Sequence, residues 1–384
     1  MRIKVWNERK FLVPKSSFLL GDHYVGTING VLMINEKERK RLIDISQQIW
    51  DSVYHVCPDF KGLVRFDLVP EYDLSKNPVL SRNGEYISFS LGDLQIVGIY
   101  EINTASPECA MATEAMHNAN YALRALQPSP CKRLAKAVYR HFNTKEIVLV
   151  LGNGFVKQCW GETYIRGLER EGLIIEKMTP KEFIDNDIRD RVVYLCGDYR
   201  EKGPAEFDKS FMHYIKDYPR HLVFNTIPNG KGYISDKSLL FPRGNKAWDR
   251  LVGENRRLTQ ENFKFAKKNK GSLVLKPFLG SSGENVFIGK MMTSEEWSEV
   301  LRFALRKTGY GLFEARWLPK INLPFGKFAT DINPAFWAHG NKLDYLYTIA
   351  RIDTWQTYRH KGIINVTQGA GYVGCLIEED QQRR

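Results

Sequence analysis

The sequence predicts an α/β protein assembled from several α+β lobes, and three patterns carry that reading. Between residues 145 and 225 short apolar strands alternate with helical stretches, the signature of a βαβαβ unit around a parallel sheet. Before that region, two strands alternate polar and apolar residues around Arg65-Phe66-Asp67 and Glu101-Ile102-Asn103. After it, Val274 to Lys276 and Asn285 to Ile288 flank a glycine-serine loop and read as a hairpin. With 384 residues, 43% hydrophobic and 12% aromatic, the chain has enough apolar surface for two or three lobes.

The elements follow in order. Residues 36 to 57 place Leu42, Ile43, Ile45, Ile49, Val53 and Val56 at roughly helical spacing, which predicts an amphipathic helix leading into the strand Gly62 to Val69. Residues 72 to 92 are rich in Ser, Asn, Pro and Gly and read as an excursion before a strand at 94 to 103. A helix is expected next, with Ser106 as N-cap and Pro107 in its first turn. The run KEIVLVLGNGF, ETYIRGLEREG, IIEKM, PKEFIDND and RVVYLCGDYR then spells strand, helix, strand, helix, strand. Its Gly152-Asn153-Gly154 lacks the third glycine of a dinucleotide-binding fingerprint. HLVFNTI reads as a further strand, and residues 247 to 268 as one long helix before the hairpin.

Composition narrows the function classes. The N-terminal segment MRIKVWNERKFLVPK is charged and without an apolar core, and no apolar run reaches membrane-spanning length, so a cytoplasmic protein without a membrane role is expected. Cys57, Cys109, Cys131, Cys159, Cys196 and Cys375 form no CxxC pair and stand at no zinc spacing, which favours reduced thiols. Cys109 as a nucleophile lacks a nearby activating base in the sequence and reads better as a small buried residue. The net charge of +12 is spread among acids, as in EKERKR at 36 to 41, so it marks a solvated surface or a basic cleft for a small polyanion rather than a nucleic-acid stripe.

Chemistry concentrates in two places. Alternate residues of a strand share a face, so Asp67 lies on the side of Arg65 and Glu101 on the side of Asn103. If the strands are neighbours, three oxygen ligands and a guanidinium meet, a set that suits Mg²⁺ together with phosphate oxygens. The plain alternative is two ordinary strands with polar outer faces. In the hairpin, Lys276 precedes Gly280-Ser281-Ser282-Gly283 and then Glu284 and Asn285. Such a loop brings backbone N–H groups close to phosphate oxygens while the lysine supplies a point charge. It is not a P-loop, since no Gly-Lys-Ser/Thr follows, and a tight connection is its plain alternative.

The succession RFD, EIN followed by serine-proline, DK and KP-x-x-G-x-x-G-x-N-V resembles the glutathionylspermidine-synthase-like branch of the ATP-grasp ligases. The resemblance covers most of residues 60 to 320. It implies an ATP-grasp fold in circularly permuted order, with a Rossmann-like pre-ATP-grasp domain in the middle. The implied divisions are an N-terminal segment at 1–60, a metal-binding half at 61–140, the Rossmann-like domain at 141–225, a nucleotide lid at 226–312, and a hinge with the remaining core strands at 313–384. No amidase domain of the kind that accompanies some members is expected.

By the same resemblance, Asp67, Glu101 and Asn103 would ligate Mg²⁺ and Arg65 would stabilise the transferring phosphoryl group. Lys237 and Lys276 would contact the phosphates of ATP beneath the loop Gly280, Ser281, Ser282, Gly283, Glu284 and Asn285. Glu314, Ala315 and Leu318 in GLFEARWLPK would meet adenine. Arg351 in LYTIARID is the candidate for the family's final basic residue, with a strand arginine paired to a local acid as the alternative. The loop reads GSSGEN where the family's synthases usually read GREGAN. The implied activity is an ATP-dependent carboxylate-amine ligase acting on a small-molecule carboxylate, an amino acid or peptide, and an amine, through an acyl phosphate. A small-molecule kinase on the same fold and a catalytically silent basic binding protein are the alternatives. Many relatives pair, which keeps a homodimer open, but no apolar stripe marks an interface.

Overall fold

The computed structural model describes residues 18 to 377 apart from 21–22, 73–78, 84–85, 91–92, 105–112, 115–116, 119–122, 124–126, 153–158, 197–208, 225–235, 280–284, 324–325 and 365–369. The chain starts in one large sheet with β1 (Phe18–Leu20) and β2 (His23–Ile34), then runs through helix α1 (Glu36–Val53). It returns to the sheet as β3 (Lys61–Glu71), β4 (Val79–Asn83), β5 (Tyr86–Ser90) and β6 (Gln95–Asn103). Helix α2 (Pro130–Phe142) leads to a second sheet of β7 (Glu146–Leu151), β8 (Ile174–Met178), β9 (Val193–Cys196) and β10 (Val223–Phe224). Helices α3 (Cys159–Arg170), α4 (Pro180–Asp185) and α5 (Lys209–Lys216) connect these strands.

A third, antiparallel sheet follows. Helix α6 (Lys246–Val252) precedes β11 (Arg256–Arg257), and helix α7 (Phe263–Lys268) precedes β12 (Leu273–Pro277) and β13 (Phe287–Ile288). Helix α8 (Ser294–Lys307) brings the chain to β14 (Tyr310–Glu314), which lies between β11 and β12. The last strands, β15 (Ile321–Leu323), β16 (Gly326–His339), β17 (Lys342–Thr354) and, after helix α9 (Trp355–Lys361), β18 (Gly371–Ile377), rejoin the first sheet. Its path is β4-β5-β2-β18-β17-β16-β3-β6, so strands from both ends of the sequence lie side by side.

Local chemistry accounts for these elements. Asn35 caps α1 in a capping box with Glu38, and the same Glu38 carboxylate accepts the N–H of Leu94 at 3.1 Å, anchoring the entry to β6. Leu42, Ile49, Trp50 and Val53 line the buried face of α1 and pack on one face of the large sheet with Phe66, Ile332 and Phe336. On the opposite face, α2 and α3 pack Leu134, Val138, Tyr164 and Leu168 against Ala335, Trp337 and Ile349. The pairs β7–β8, β7–β9 and β9–β10 are all parallel, and Ile147 to Val150 are fully buried, as expected of a strand covered by helices on both faces. The mixed α/β character and the βαβαβ order match the sequence reading.

Three expectations are corrected or bounded. The stretch 72 to 92 holds an antiparallel hairpin, β4 against β5, hidden in the sequence by its Ser, Asn and Gly content. The long helix expected at 247 to 268 is two short helices around β11. Gly253, at a φ of +69°, ends the first of them, and the Asn255 side chain then donates to the Leu240 carbonyl at 2.8 Å and accepts the Glu314 N–H at 2.8 Å. These bonds turn the backbone out of helix and into pairing with β14. Of the helix expected after Ser106, residues 113, 114, 117, 118 and 123 are helical; Ser106, Pro107 and Cys109 lie outside the described residues, as do Asn153 and Gly154. Among the described residues no helix is long and apolar enough to cross a membrane.

Arg316, just past β14, stitches the sheets together. Its guanidinium donates to the Val97 carbonyl and, at 3.0 Å, to the Arg250 carbonyl, while Tyr100 Oη donates to the Arg316 carbonyl at 2.7 Å. A Cβ at Gly98 would stand 2.5 Å from Arg316 Cδ, so the bare glycine admits the arginine. Gly98→Ala should therefore lower the unfolding free energy by about 1–3 kcal/mol through overpacking, as read by urea denaturation. An unchanged midpoint would show that Arg316 repacks without cost.

Candidate functional site

The two N-terminal motifs meet as the alternation requires. β3 and β6 pair antiparallel with Asp67 opposite Glu101 and Arg65 opposite Asn103. The register slips by one residue beyond this point, leaving Tyr100 as an unpaired bulge residue beside Glu101. Bulges re-aim side chains, and here Tyr100 and Glu101 both reach the same neighbour. Lys276, arriving from β12 of the third sheet, holds its ammonium 5.5 Å from the Tyr100 ring centroid and 5.3 Å from that of Phe313.

Lys237 completes this side. Asp236 caps a short 3₁₀ turn by accepting the Ser238 N–H at 2.7 Å, and the Lys237 N–H donates to the Phe278 carbonyl at 3.0 Å. The turn is thereby fixed to the exit of β12. From it the buried Lys237 ammonium meets Glu101 Oε1 at 2.7 Å. The candidates Arg65, Asp67, Glu101, Asn103, Lys237 and Lys276, drawn from two sheets and one turn, thus share one place.

Arg351 joins them through residues the sequence reading did not single out. It lies opposite Asp331 in the β16–β17 register, and its Nε donates to Asp331 Oδ2 at 2.9 Å while Nη2 contacts the same carboxylate. Nη2 also donates to Asp67 Oδ2 at 2.9 Å, and Arg65 Nε donates to Asp67 Oδ1 at 2.7 Å. Asp67 and Asp331 are each only 1% exposed, so both carboxylates depend on these guanidiniums for their charge. Asn333 Nδ2 donates to Asp331 Oδ1 at 2.8 Å and fixes its plane. A signal for this pair was present: Asp331-Ile332-Asn333 repeats the acid-Ile-Asn spacing of Glu101-Ile102-Asn103.

The electrostatics follow from burial and pairing. Burial pushes the Asp67 carboxyl up, but the Arg351 and Arg65 guanidiniums overcome it and hold it below the usual 3.8. Asp67 is therefore ionised throughout the neutral range, and the stability it contributes is lost only as pH falls below the ordinary carboxylate value. Burial likewise opposes the Arg351 charge, and Asp331 with Asp67 more than offsets it. Lys276 goes the other way: burial, aided by Lys237 and Arg351, brings it down to about 8, with Glu101 and Asp67 compensating only in part. Set against the carboxylates of Asp67, Glu101 and Asp331, the cations Arg65, Arg351, Lys237 and Lys276 leave a positive surplus suited to a polyanion.

Oxygen ligands for a hard cation are present. Asp67 and Glu101 supply carboxylates from adjacent strands, and Asn103 has a buried amide nitrogen without a hydrogen-bond partner among the described residues. A half-turn of that amide presents its oxygen instead, so the position can serve a cation or a phosphate oxygen. This donor set fits Mg²⁺ in chemistry, being all oxygen.

The remaining candidates lie around this centre. Asn285 follows the glycine-serine loop with a φ of +55°, a conformation asparagine tolerates; Gly280, Ser281, Ser282, Gly283 and Glu284 lie outside the described residues. At the end of β14, exposed Glu314 accepts the Glu254 N–H at 3.1 Å. The Ala315 N–H donates to the Ser272 carbonyl at 2.8 Å and the buried Leu318 N–H to Tyr358 Oη at 2.8 Å. Both of these backbone donors are thus engaged within the protein. A cleft of about 690 Å³ beside this segment, lined by Phe241, Asp249, Glu254, Asn255 and Arg257 among others, contains none of the clustered cations and carboxylates. No family model and no curated protein matches the chain.

Two outcomes test the site in the empty protein. Acetylation of Lys276, followed by mass spectrometry against pH, should have its midpoint near 8, and one near the ordinary 10.5 would refute the burial argument. Between those two values the unfolded chain binds more protons at this lysine, so its contribution makes the fold firmer as pH rises. Asp331→Asn, which leaves Arg351 half-compensated, should cost about 3–5 kcal/mol of stability. Adding Arg351→Met should recover part of that loss, and strict additivity of the two substitutions would show that the pair is not coupled.

Proposed function

We propose that the protein is an ATP-dependent carboxylate-amine ligase of ATP-grasp type, with its grasp core in circularly permuted order. The observation that carries this reading is the convergence of Asp67 and Glu101, paired across β3 and β6, with Lys237 and Lys276 from the 3₁₀ turn and the third sheet. Oxygen donors on one sheet and phosphate-seeking ammoniums from another are what a nucleotide held between two lobes requires. The interleaving of the chain, from large sheet to parallel sheet to antiparallel sheet and back, is compatible with the permuted order.

In this reading Asp67, Glu101 and Asn103 hold Mg²⁺, which neutralises phosphate charge when bound. Lys237 and Lys276 bind the polyphosphate of ATP, and Arg65 faces the phosphoryl group under transfer. The substrate carboxylate attacks the terminal phosphorus as the bond to the bridging oxygen breaks, giving an acyl phosphate and ADP. The amine nitrogen then attacks the acyl carbon, the acyl C–O bond breaks so that phosphate leaves carrying the substrate's own carboxylate oxygen, and the amine loses a proton as the amide forms. Arg65 and Arg351 are placed to stabilise the oxyanion of that second step. Asp331 acts through Arg351 and is a positioning residue.

The chemistry asks for charge and position rather than a nucleophile and base. Lys276, poised near 8, also makes nucleotide binding a proton-linked event. A polyphosphate favours the ammonium, so ATP binding should take up a fraction of a proton between pH 8 and 9. Calorimetry in buffers of different ionisation enthalpy measures this, and equal heats in all of them would remove Lys276 from the phosphate site.

Glu101→Gln is the cleaner test of the metal assignment, because Glu101 is partly exposed whereas Asp67 is locked between two arginines. ADP release, screened against pooled amino acids, peptides and polyamines, should fall at least 100-fold in this variant, the loss expected when charge stabilisation at the reacting phosphate is removed, with urea denaturation run alongside because Glu101 also pairs with the buried Lys237 ammonium. Trapping with hydroxylamine should yield a hydroxamate. A phosphorylated product without hydroxamate would identify a kinase, and retained turnover in Glu101→Gln would overturn the site.

A further inference from the structure

We propose that His141, His339 and Asp344 form a second metal site, for a divalent transition cation of the zinc class, which clips helix α2 to the tip of the β16–β17 hairpin. One donor atom from each of the three side chains lies within 4.8 Å of the others. His141 Nε2 stands 3.6 Å and His339 Nε2 4.0 Å from Asp344 Oδ2. Tetrahedral zinc with bonds of about 2.0–2.1 Å sets its ligand atoms about 3.4 Å apart. Both separations from Asp344 lie within about 0.6 Å of that spacing, so side-chain rotations about these positions close the site.

The donors are held rather than assembled by chance. His339 and Asp344 flank the two-residue turn at Gly340 and Asn341, with His339 opposite Lys342 and Trp337 opposite Asp344. Helix α1 pins that turn, since Trp50 Nε1 donates to the Gly340 carbonyl at 2.9 Å and Gln47 Nε2 to that of Asn341 at 2.7 Å. His141 is in the last turn of α2, which is fixed over β17 by Arg133 donating to the Leu346 carbonyl at 2.8 Å. Its ring stacks on Trp337 at a centroid separation of 5.6 Å and lies 4.1 Å from that of His339. A rigid scaffold of this kind is what metal affinity requires.

His141 Nε2 is buried and has no hydrogen-bond partner among the described residues, and 3.6 Å to the carboxylate is too long to be one. An imidazole nitrogen left without a partner in the midst of two other donors is explained by a ligand between them. The C-terminal end of a helix favours a cation, and Arg140, which donates to Asp344 Oδ2 at 3.0 Å from an exposed position, now fills that role. Its side chain would swing out when metal enters.

Nitrogen and carboxylate ligands select zinc, cobalt or nickel rather than magnesium, and three protein donors leave a fourth position to water. The site is independent of the nucleotide reading. Metal-free protein titrated with Zn²⁺ alone should take up one equivalent and unfold at higher temperature, and Co²⁺ should give the ligand-field bands of a tetrahedral site without thiolate charge-transfer bands. His339→Ala and Asp344→Asn should each abolish uptake and the thermal shift, whereas Arg140→Gln should bind at least as tightly. His339→Gln, which keeps the side-chain bulk, guards against misfolding as the cause of loss. No uptake by the native chain, thiolate bands, or an equivalent retained in both His339 variants would overturn the proposal.

Discussion

The buried ion network that runs from Arg65 through Asp67 and Arg351 to Asp331 is the interaction on which the large sheet depends. β3 comes from the first fifth of the chain and β16 and β17 from the last, with two other sheets inserted between them. Hydrogen bonds along the strands fix their spacing but do not choose the register, which a slip of one residue would leave almost equally bonded. A slip here would move Asp331 away from Arg351 and bury both charges unpaired. Replacing the network by apolar residues of similar volume need not weaken the fold. Its retention in a core otherwise built of Ile, Phe, Trp and Ala points to a requirement for charge at this position.

The same network keeps the site charged and ordered. Asp67 takes a guanidinium from each side, Arg351 takes a carboxylate from each side, and Asn333 holds the far acid in plane. These groups restrain one another through direct hydrogen bonds, so little reorganisation remains when a charged group comes near. Lys276 is the contrasting element. It reaches the centre from another sheet, rests on two aromatic faces and gives up part of its charge to burial. A fixed inner layer of arginines and carboxylates is thus faced by a lysine from a separate sheet whose charge responds to its surroundings.

Much of this arrangement is legible in the sequence, for reasons that differ by residue. Arg65, Asp67, Glu101 and Asn103 stand out because polar residues at period two interrupt apolar strands, and that period survives folding. Lys276 is visible through the hairpin that follows it, whereas Lys237 is marked only by the resemblance of its Asp-Lys pair to a family motif. Asp331 and Asn333 sit in a strand buried on both faces, where the run FATDINPAFWAH looks like core and only its echo of the acid-Ile-Asn spacing at 101–103 marks them. Only the register reveals the partner, since the arginine follows the acid by 20 residues across a hairpin. The broken helix at 247 to 268 was hidden for a related reason: Asn255 ends it through bonds to Leu240 and Glu314, which periodicity cannot register.

The β16–β17 hairpin carries two groups of charged side chains, and its geometry decides how they relate. Asp331 and His339 are eight positions apart on β16 with the same parity, so both emerge from the face covered by α2 and α3. At about 3.4 Å per residue they are separated by roughly 27 Å. The one slip between β16 and β17 falls between the two groups, next to Ala335, and decouples the pleat on either side. Among the described residues, Trp337, Ala335 and Ile349 fill the interval with packed apolar surface. That separation is well beyond the roughly 7–10 Å within which substitutions usually couple. Substitutions at the tip and at the centre should therefore act additively, which makes the hairpin a shared scaffold for two separable sites rather than a lever between them.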